Sequence, residues 1–399
     1  MFKSFRIGSI GGIPIKLDVT FLVILPIFAW IIAMQLNELV EILNMSMGLG
    51  IDAEPFAVGM RPWILGFVAA LGLFASVLLH ELGHSVAAIR YGFPIKSITL
   101  WLLGGVAQLS EQPTDWREEL VIAIAGPLVS VGLGVGLWLL IYVIPASMEG
   151  VLFIVAYLSL MNIVLAAFNM LPGFPMDGGR VLRALLARNR PFAQATAEAA
   201  RVGKLFALFL GLFGLFAMSF LMIAIALFIY IAASGEARYT ALRAAVEGIP
   251  VRDIMTPAAS IDVVTPDLPI AELLELMYRQ RHTGYPVVDD DGIAGIVTLD
   301  DIRTVDATQR DSTPVAAVMT TDLETVDVTD DAFDAIQTMQ QRNIGRLLVV
   351  DEHNELAGLV TRSDVVRSLD IGAVRSANKQ VSETATIERI PTDETGPRW

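Results

Sequence analysis

Long apolar runs separated by short polar stretches fill the first 245 residues. Those at 19–36, 62–89, 119–145 and 151–171 are each long enough to cross the ~30 Å hydrocarbon core as a helix. The stretch 203–234 is long for one helix and short for two. With the alanine-rich lead-in from Ala193 it holds two spans turning near Gly211–Met218, which makes about six spans in all. A shorter stretch, "ITLWLLGGVAQLS" at 98–110, is β-like. After residue 250 the pattern changes to short Val/Ile-rich runs alternating with helical segments, which predicts a soluble α/β region. That region repeats itself: Met255 matches Met319, Gly284 matches Gly345 and Thr298 matches Thr361, at offsets of 61–64 residues. The predicted architecture is a polytopic α-helical membrane domain over 1–245 and a soluble α/β module of two repeats, 251–309 and 314–371. The polar, aperiodic stretch 372–399 is expected to be a flexible tail.

Charge orients these spans. Lys3, Arg6 and Lys16 precede the first, Arg90, Lys96 and Arg117 lie between the second and third, and Arg180, Arg183, Arg188, Arg190 and Arg201 follow the fourth. The intervening loops carry few bases, so the positive-inside rule predicts that both termini are cytoplasmic. The first run resembles a signal peptide only superficially, because Asp18 precedes it and no small-residue cleavage site follows; it is expected to be retained. The net charge of −14 arises wholly in residues 251–371, with 9 basic against 23 acidic side chains. Lysines number 5 against 23 arginines. Such a surface suits a salt-rich cytoplasm, and equally an ordinary acidic domain. It excludes the basic footprint of nucleic-acid binding. The chain has no cysteine, so thiolate metal sites and disulfides are excluded.

One apolar run carries an expensive cluster. "HELGH" at 80–84 places His80 and His84 one turn apart on one helical face. Imidazoles at that spacing can hold one zinc ion, with Glu81 beside them as general base. The bland reading, two core histidines bonded to neighbours, is weak, because the chain has only 4 histidines and two of them fall at this spacing. A catalytic zinc takes three protein ligands and keeps a position open. The candidate third ligand is Asp177 in "NMLPGFPMDGGR" at 169–180, where Pro172, Gly173, Pro175, Gly178 and Gly179 must break a helix. Broken backbone at membrane depth survives only when buried or lining a cavity. Asp177–Gly178 is also a common turn pair, so turn chemistry competes with ligation.

"HELGH" followed by "NMLPGFPMDGGR" resembles the site-2 protease family of intramembrane zinc metalloproteases. The resemblance covers roughly 1–245 and implies one zinc ion per chain held by His80, His84 and Asp177, with Glu81 as general base. It implies a role for Asn169 in stabilising the tetrahedral intermediate, although a helix-end residue bonding the break would look the same. It also implies a short membrane-associated sheet whose Gly104–Gly105 strand pairs with unwound substrate. "AIAGPLVS" at 123–130 resembles a family segment too, and helix packing with a kink is the preferred reading of it. The acids Glu111, Asp115, Glu118 and Glu119 read as the start of a helix and need no catalytic role. The implied substrate is a transmembrane protein within the lipid bilayer of a cell, in a prokaryote.

The repeated unit resembles the CBS domain, which commonly occurs in pairs. "GIVTLDD" and "GLVTRSD" carry the Gly-x-x-Thr-x-x-Asp pattern, and the resemblance implies an adenine nucleotide on Thr298, Asp301, Thr361 and Asp364. It also implies a homodimer through the CBS pairs and control of access to the protease by the ligand. Helix capping explains the same Thr/Asp spacing. Arg303 and Arg362 are the local cations that a polyanion would need in so acidic a module. His282 and His353 lack a metal-spaced partner and are expected at the surface. CBS pairs also end several channels and carriers, so a CBS-regulated transporter or ion channel is the alternative function. A transporter has no need of a water-activating glutamate between two zinc ligands.

Overall fold

The computed structural model describes residues 4–364 apart from 57, 103, 110–112, 114 and 291. The expected tail at 372–399, Lys3 and Glu111 lie outside the described residues. The chain divides into two compact units, one spanning Met1–Thr240 and the other beginning at Ala241.

The first unit opens with a hairpin, β1 (Ser4–Ile10) and β2 (Ile13–Asp18). Asp18 then caps α1 (Val19–Met34), accepting a hydrogen bond from the Thr20 amide at 2.9 Å. The expected single first span differs here. After Gln35 the chain bends by 69° and continues as α2 (Leu36–Met47). The reason is periodicity: Leu36, Val40 and Leu43 form one buried stripe, while the face with Glu38 and Glu41 is polar. The stripe joins a core with Ile32 of α1 and Phe153, Ala156 and Tyr157 of a later helix.

The long α3 (Arg61–Arg90) follows, then β3 (Ile95–Trp101) and β4 (Gly104–Leu109). The four strands form one sheet in the order β1-β2-β3-β4, with β2 and β3 parallel and β4 at an edge. Thus the β-like stretch supplies the antiparallel pair β3–β4, and Arg6 and Lys16 of the N-terminal basic stretch belong to the same sheet. Five further helices join α1–α3: α4 (Trp116–Ile141), α5 (Glu149–Asn169), α6 (Asp177–Ala187), α7 (Phe192–Phe216) and α8 (Phe220–Val246) come after the sheet, α6 being short. Among the described residues, five helices are long and apolar enough to cross a membrane, and the bent α1–α2 pair brings the number to six.

The second unit contains β5 (Thr256–Pro257), α9 (Ile270–Gln280), β6 (Gly284–Asp289), β7 (Gly292–Thr298) and α10 (Leu299–Arg303) in its first repeat. The second repeat supplies β8 (Thr325–Asp327), α11 (Ala332–Gln341), β9 (Arg346–Val350) and β10 (Leu356–Thr361). The repeats interlock by exchanging their starts. β5 pairs with β10, and Thr320 pairs with Ile296 in β7. The exchange is matched at side-chain level: Met319 lies over Gly295, and Met255 lies over Gly358.

Candidate active site

Glycines bring α3 and α4 together at the "HELGH" turn. A Cβ on Gly83 would stand 2.9 Å from the Ala125 carbonyl, and one on Gly126 would overlap the His84 ring. The two helices therefore cross with backbone against imidazole. Both histidines are buried within this crossing.

Their outer nitrogens are anchored on α4. His84 Nδ1 donates to the Ile122 carbonyl at 2.7 Å, and His80 Nδ1 bonds to Ser130 Oγ at 2.9 Å. A carbonyl only accepts, so the His84 proton is fixed on Nδ1 and the Nε2 lone pair faces inward. Ile122, Gly126 and Ser130 lie four residues apart in succession, one stripe of α4 facing the motif. "AIAGPLVS" is indeed a packing device, but it packs against the histidines and orients one of them. The four-residue spacing from Ile122 to Ser130 was the signal available for this role.

Asp177 arrives from the other side. The chain breaks between α5 and α6, and a Cβ on Gly178 would run into the carbonyl oxygens of Met170 and Leu171. That tight fold sets Asp177 at the start of α6 with its Oδ2 3.1 Å from both His80 Nε2 and His84 Nε2. The two Nε2 atoms are 3.2 Å apart. His84 Nε2 and Asp177 Oδ2 are both acceptors and His80 Nε2 faces both, so a single proton can bridge only one edge whereas a cation between the three serves all of them. A tetrahedral zinc with bonds of ~2.0–2.1 Å holds its ligand atoms about 3.3–3.4 Å apart. The observed triangle fits such an ion. Among the described residues these three form the one His/Cys/Asp/Glu group able to hold a metal.

Glu81 is half-buried on the same helix turn, and Gly105 of β4 lies directly against its side chain; a Cβ there would stand 3.3 Å from Oε1. Gly104 adopts φ +130°, a conformation open to glycine, as the chain turns from β3 into β4. Asn169 is the last residue of α5, and its side-chain amide forms no hydrogen bond among the described residues.

A second buried cluster was not foreseen. Glu119 does start α4, and Asp115 caps it by accepting from the Arg117 amide at 2.6 Å. However, Glu119 is 1% exposed and accepts from Arg183 Nε of α6 at 2.7 Å. Arg183 also donates to Glu236 of α8 at 2.6 Å and stacks between the Phe174 and Phe192 rings. This network ties the helix carrying Asp177 to the helix that orients the histidines. First-turn acids look alike in sequence, so nothing local separated Glu119 from Glu118.

In the second unit the Thr/Asp pairs form caps. Asp301 Oδ2 accepts from the Thr298 amide and hydroxyl, each at 2.7 Å, and Asp364 accepts from Thr361 in the same way at 2.9 and 2.7 Å. Thr298 and Asp301 also line a cleft of about 520 Å³ with Thr283, Asp322, Glu324 and Arg346. His282 and His353 are exposed, as expected.

The model of peptidase family M50 matches residues 68–211, and the CBS domain model matches 251–307 and 315–371. A zinc metalloprotease of Methanocaldococcus jannaschii is 34% identical over 371 residues, covering 93% of this chain and 97% of its own. The chain belongs to the site-2 protease family of zinc metalloproteases. Stage IV sporulation protein FB of Bacillus subtilis is 31% identical over 47% of this chain and 65% of its own. The site-2 protease structure from M. jannaschii is 36% identical, with a TM-score of 0.41, over 59% of this chain and 96% of that one. This site-2 protease is an intramembrane zinc endopeptidase with tandem CBS domains, and its family acts on membrane-protein substrates.

Proposed function

We propose that His80, His84 and Asp177 hold the catalytic zinc and that Glu81 is the general base for hydrolysis of a transmembrane segment. The observation that carries this reading is the triangle of Nε2, Nε2 and Oδ2 atoms 3.1–3.2 Å apart. When bound, zinc supplies Lewis acidity and makes water a nucleophile at neutral pH. Glu81 takes the proton from the attacking water and returns it to the leaving amine. The unpartnered Asn169 amide donates to the oxygen that gains charge at the scissile carbonyl. The free edge of β4, beginning at Gly104 and Gly105, receives the substrate as an added strand once it has unwound.

The protease domain extends over 1–245, and the CBS pair over 251–309 and 314–371. Both termini face the cytoplasm of a prokaryotic cell, as the placement of basic residues requires. The CBS pair takes an adenine nucleotide in the cleft beside Thr298 and Asp301, Arg346 providing the cation, with Thr361 and Asp364 as the equivalent pair of the second repeat. Its occupancy regulates substrate access, and two chains dimerise through these modules.

The test uses purified protein with a model transmembrane substrate, with and without chelator and ATP. Glu81→Gln is expected to keep zinc and lose cleavage, and His80→Ala to lose both. Full cleavage by Glu81→Gln, or cleavage indifferent to chelator, would sink the assignment; indifference to ATP would remove the nucleotide from it.

A further inference from the structure

Arg180 stands three residues after Asp177 on the first turn of α6 and is half-buried. Its guanidinium makes no direct hydrogen bond or ring contact among the described residues, although it lies in the field of Glu81 and Asp177. Arg183, one turn further on, has every advantage Arg180 lacks: two carboxylates and two aromatic rings. A guanidinium carries five N–H donors and no acceptor. Partly withdrawn from water in a membrane domain, those donors are costly unless an acceptor arrives.

The surroundings indicate what arrives. Arg180 lines a cavity of about 280 Å³ with Ala107 and Leu109 of β4, Phe174 and Pro175 of the broken segment, and Glu236 of α8. Gly105, Ala107 and Leu109 alternate along β4 and so share one face of the strand. Gly105 lies against Glu81. That face therefore leads from the general base to Arg180.

Charge selects the class of ligand. Arg183 is bonded to both Glu119 and Glu236, and Arg180 stands in the field of Glu81 and Asp177, so acids already outnumber bases around this cavity. An added carboxylate would enlarge that negative excess. A neutral acceptor adds nothing to it. A strand paired on β4 uses one of its own edges and turns unpaired carbonyls away on the other. In hydrocarbon those carbonyls have no water to bond.

We infer that Arg180 is a substrate-binding residue that donates to main-chain carbonyls of an unwound membrane segment lying along β4. Carbonyls are common to all residues, so this contact tolerates variation in substrate sequence. The inference rests on the protease reading and adds the outer clamp to its strand-pairing mode.

The test separates binding from chemistry. In the inactive Glu81→Gln background, binding of a fluorescent transmembrane peptide to the full chain is compared with and without Arg180→Met. The expected result is binding weakened about tenfold or more, the scale of charge-assisted hydrogen bonds. The loss is equal for peptides with Asp, Asn or Lys beside the scissile bond, and Arg180→Gln recovers part of it. Zinc content stays at one per chain; should the Met variant lose zinc, the Gln variant carries the same comparison. Unchanged binding overturns the inference, and so does a loss confined to the Asp peptide, which would make Arg180 a side-chain carboxylate receptor. Reduced cleavage by the Arg180→Met single variant with undiminished binding also overturns it, by moving the residue to the oxyanion. Chelator-indifferent cleavage by the parent protein refutes the protease reading itself, whatever the binding result.

Discussion

Both units carry a short motif of a few polar residues at fixed spacing, yet the two motifs close differently. In the membrane unit His80 and His84 find partners 97 and 93 residues away on Asp177, and orienting partners 50 and 38 residues away on Ser130 and Ile122. In the CBS unit Thr298 finds its partner three residues away on Asp301. A local partner satisfies the polar groups without any ligand. A convergence of His84 Nε2, His80 Nε2 and Asp177 Oδ2 from separate helices does not, because one proton can serve only one of its edges. The first arrangement leaves function open, and the second fits a cation.

The strongest way to break this comparison is to disturb convergence without touching a ligand. Gly126→Val places carbon where the His84 ring stands. Zinc content should fall towards zero and cleavage by more than about a hundredfold, beyond the usual range for groups that only support a ligand. Helical content by circular dichroism should remain. Retained zinc would mean that the helix crossing does not set the ligand geometry.

A second disturbance acts at longer range. Removing one member of a buried ion pair leaves the other charged and unpaired, at a cost of about 3–5 kcal/mol. Arg183→Ala should lower unfolding stability in detergent by that order, and Arg183→Lys should recover little, because one ammonium cannot reproduce the fork to Glu119 and Glu236. Stability within about 1 kcal/mol of the parent would show that α4, α6 and α8 do not depend on this network.

These contrasts also explain how much was legible in sequence. "HELGH" and the broken segment at 169–180 displayed the candidate ligands because metal chemistry restricts residue type and spacing together. The apolar stretches at 62–89, 119–145 and 151–171 were equally plain, since hydrocarbon thickness fixes their length, whereas 203–234 was long for one helix and short for two. The β1–β2 hairpin was not legible from alternation, because β1 is exposed along its whole length. The consecutive Gly11 and Gly12, at φ +58° and +86°, were the turn signal there. The α1–α2 bend was hidden because an apolar helix and its amphipathic continuation form one hydrophobic run. Glu119 and Arg183 were read separately as a helix-start acid and an inside-positive base; only packing joins residues 64 positions apart.

Ser130 sharpens the comparison at intermediate scale. Its hydroxyl stands beside His80 Nδ1, and loss of such an outer partner typically costs 10–100-fold in metal affinity. Ser130→Ala should weaken zinc binding about tenfold in a chelator competition, with the unfolding stability of the metal-free protein nearly unchanged. An equal loss of stability in the metal-free protein would make Ser130 a packing residue and no more.

Thr298 provides the smallest effect and tests the opposite side. The capping reading predicts that Thr298→Ala costs about 1 kcal/mol of CBS-unit stability, while Thr298→Ser costs much less because it keeps the hydroxyl. Neither should change zinc content. Hydrogen exchange over residues 292–303 of the full chain can measure the loss without nucleotide, and equilibrium binding can measure AMP affinity in the same variants. If the cap is the residue's whole role, affinity falls no further than stability does. If Thr298→Ala leaves exchange unaltered and removes AMP binding, then the threonine faces a ligand, as the zinc proposal has His80 and His84 face a metal. The distinction between a locally closed motif and one awaiting a partner would then have to be redrawn for this unit.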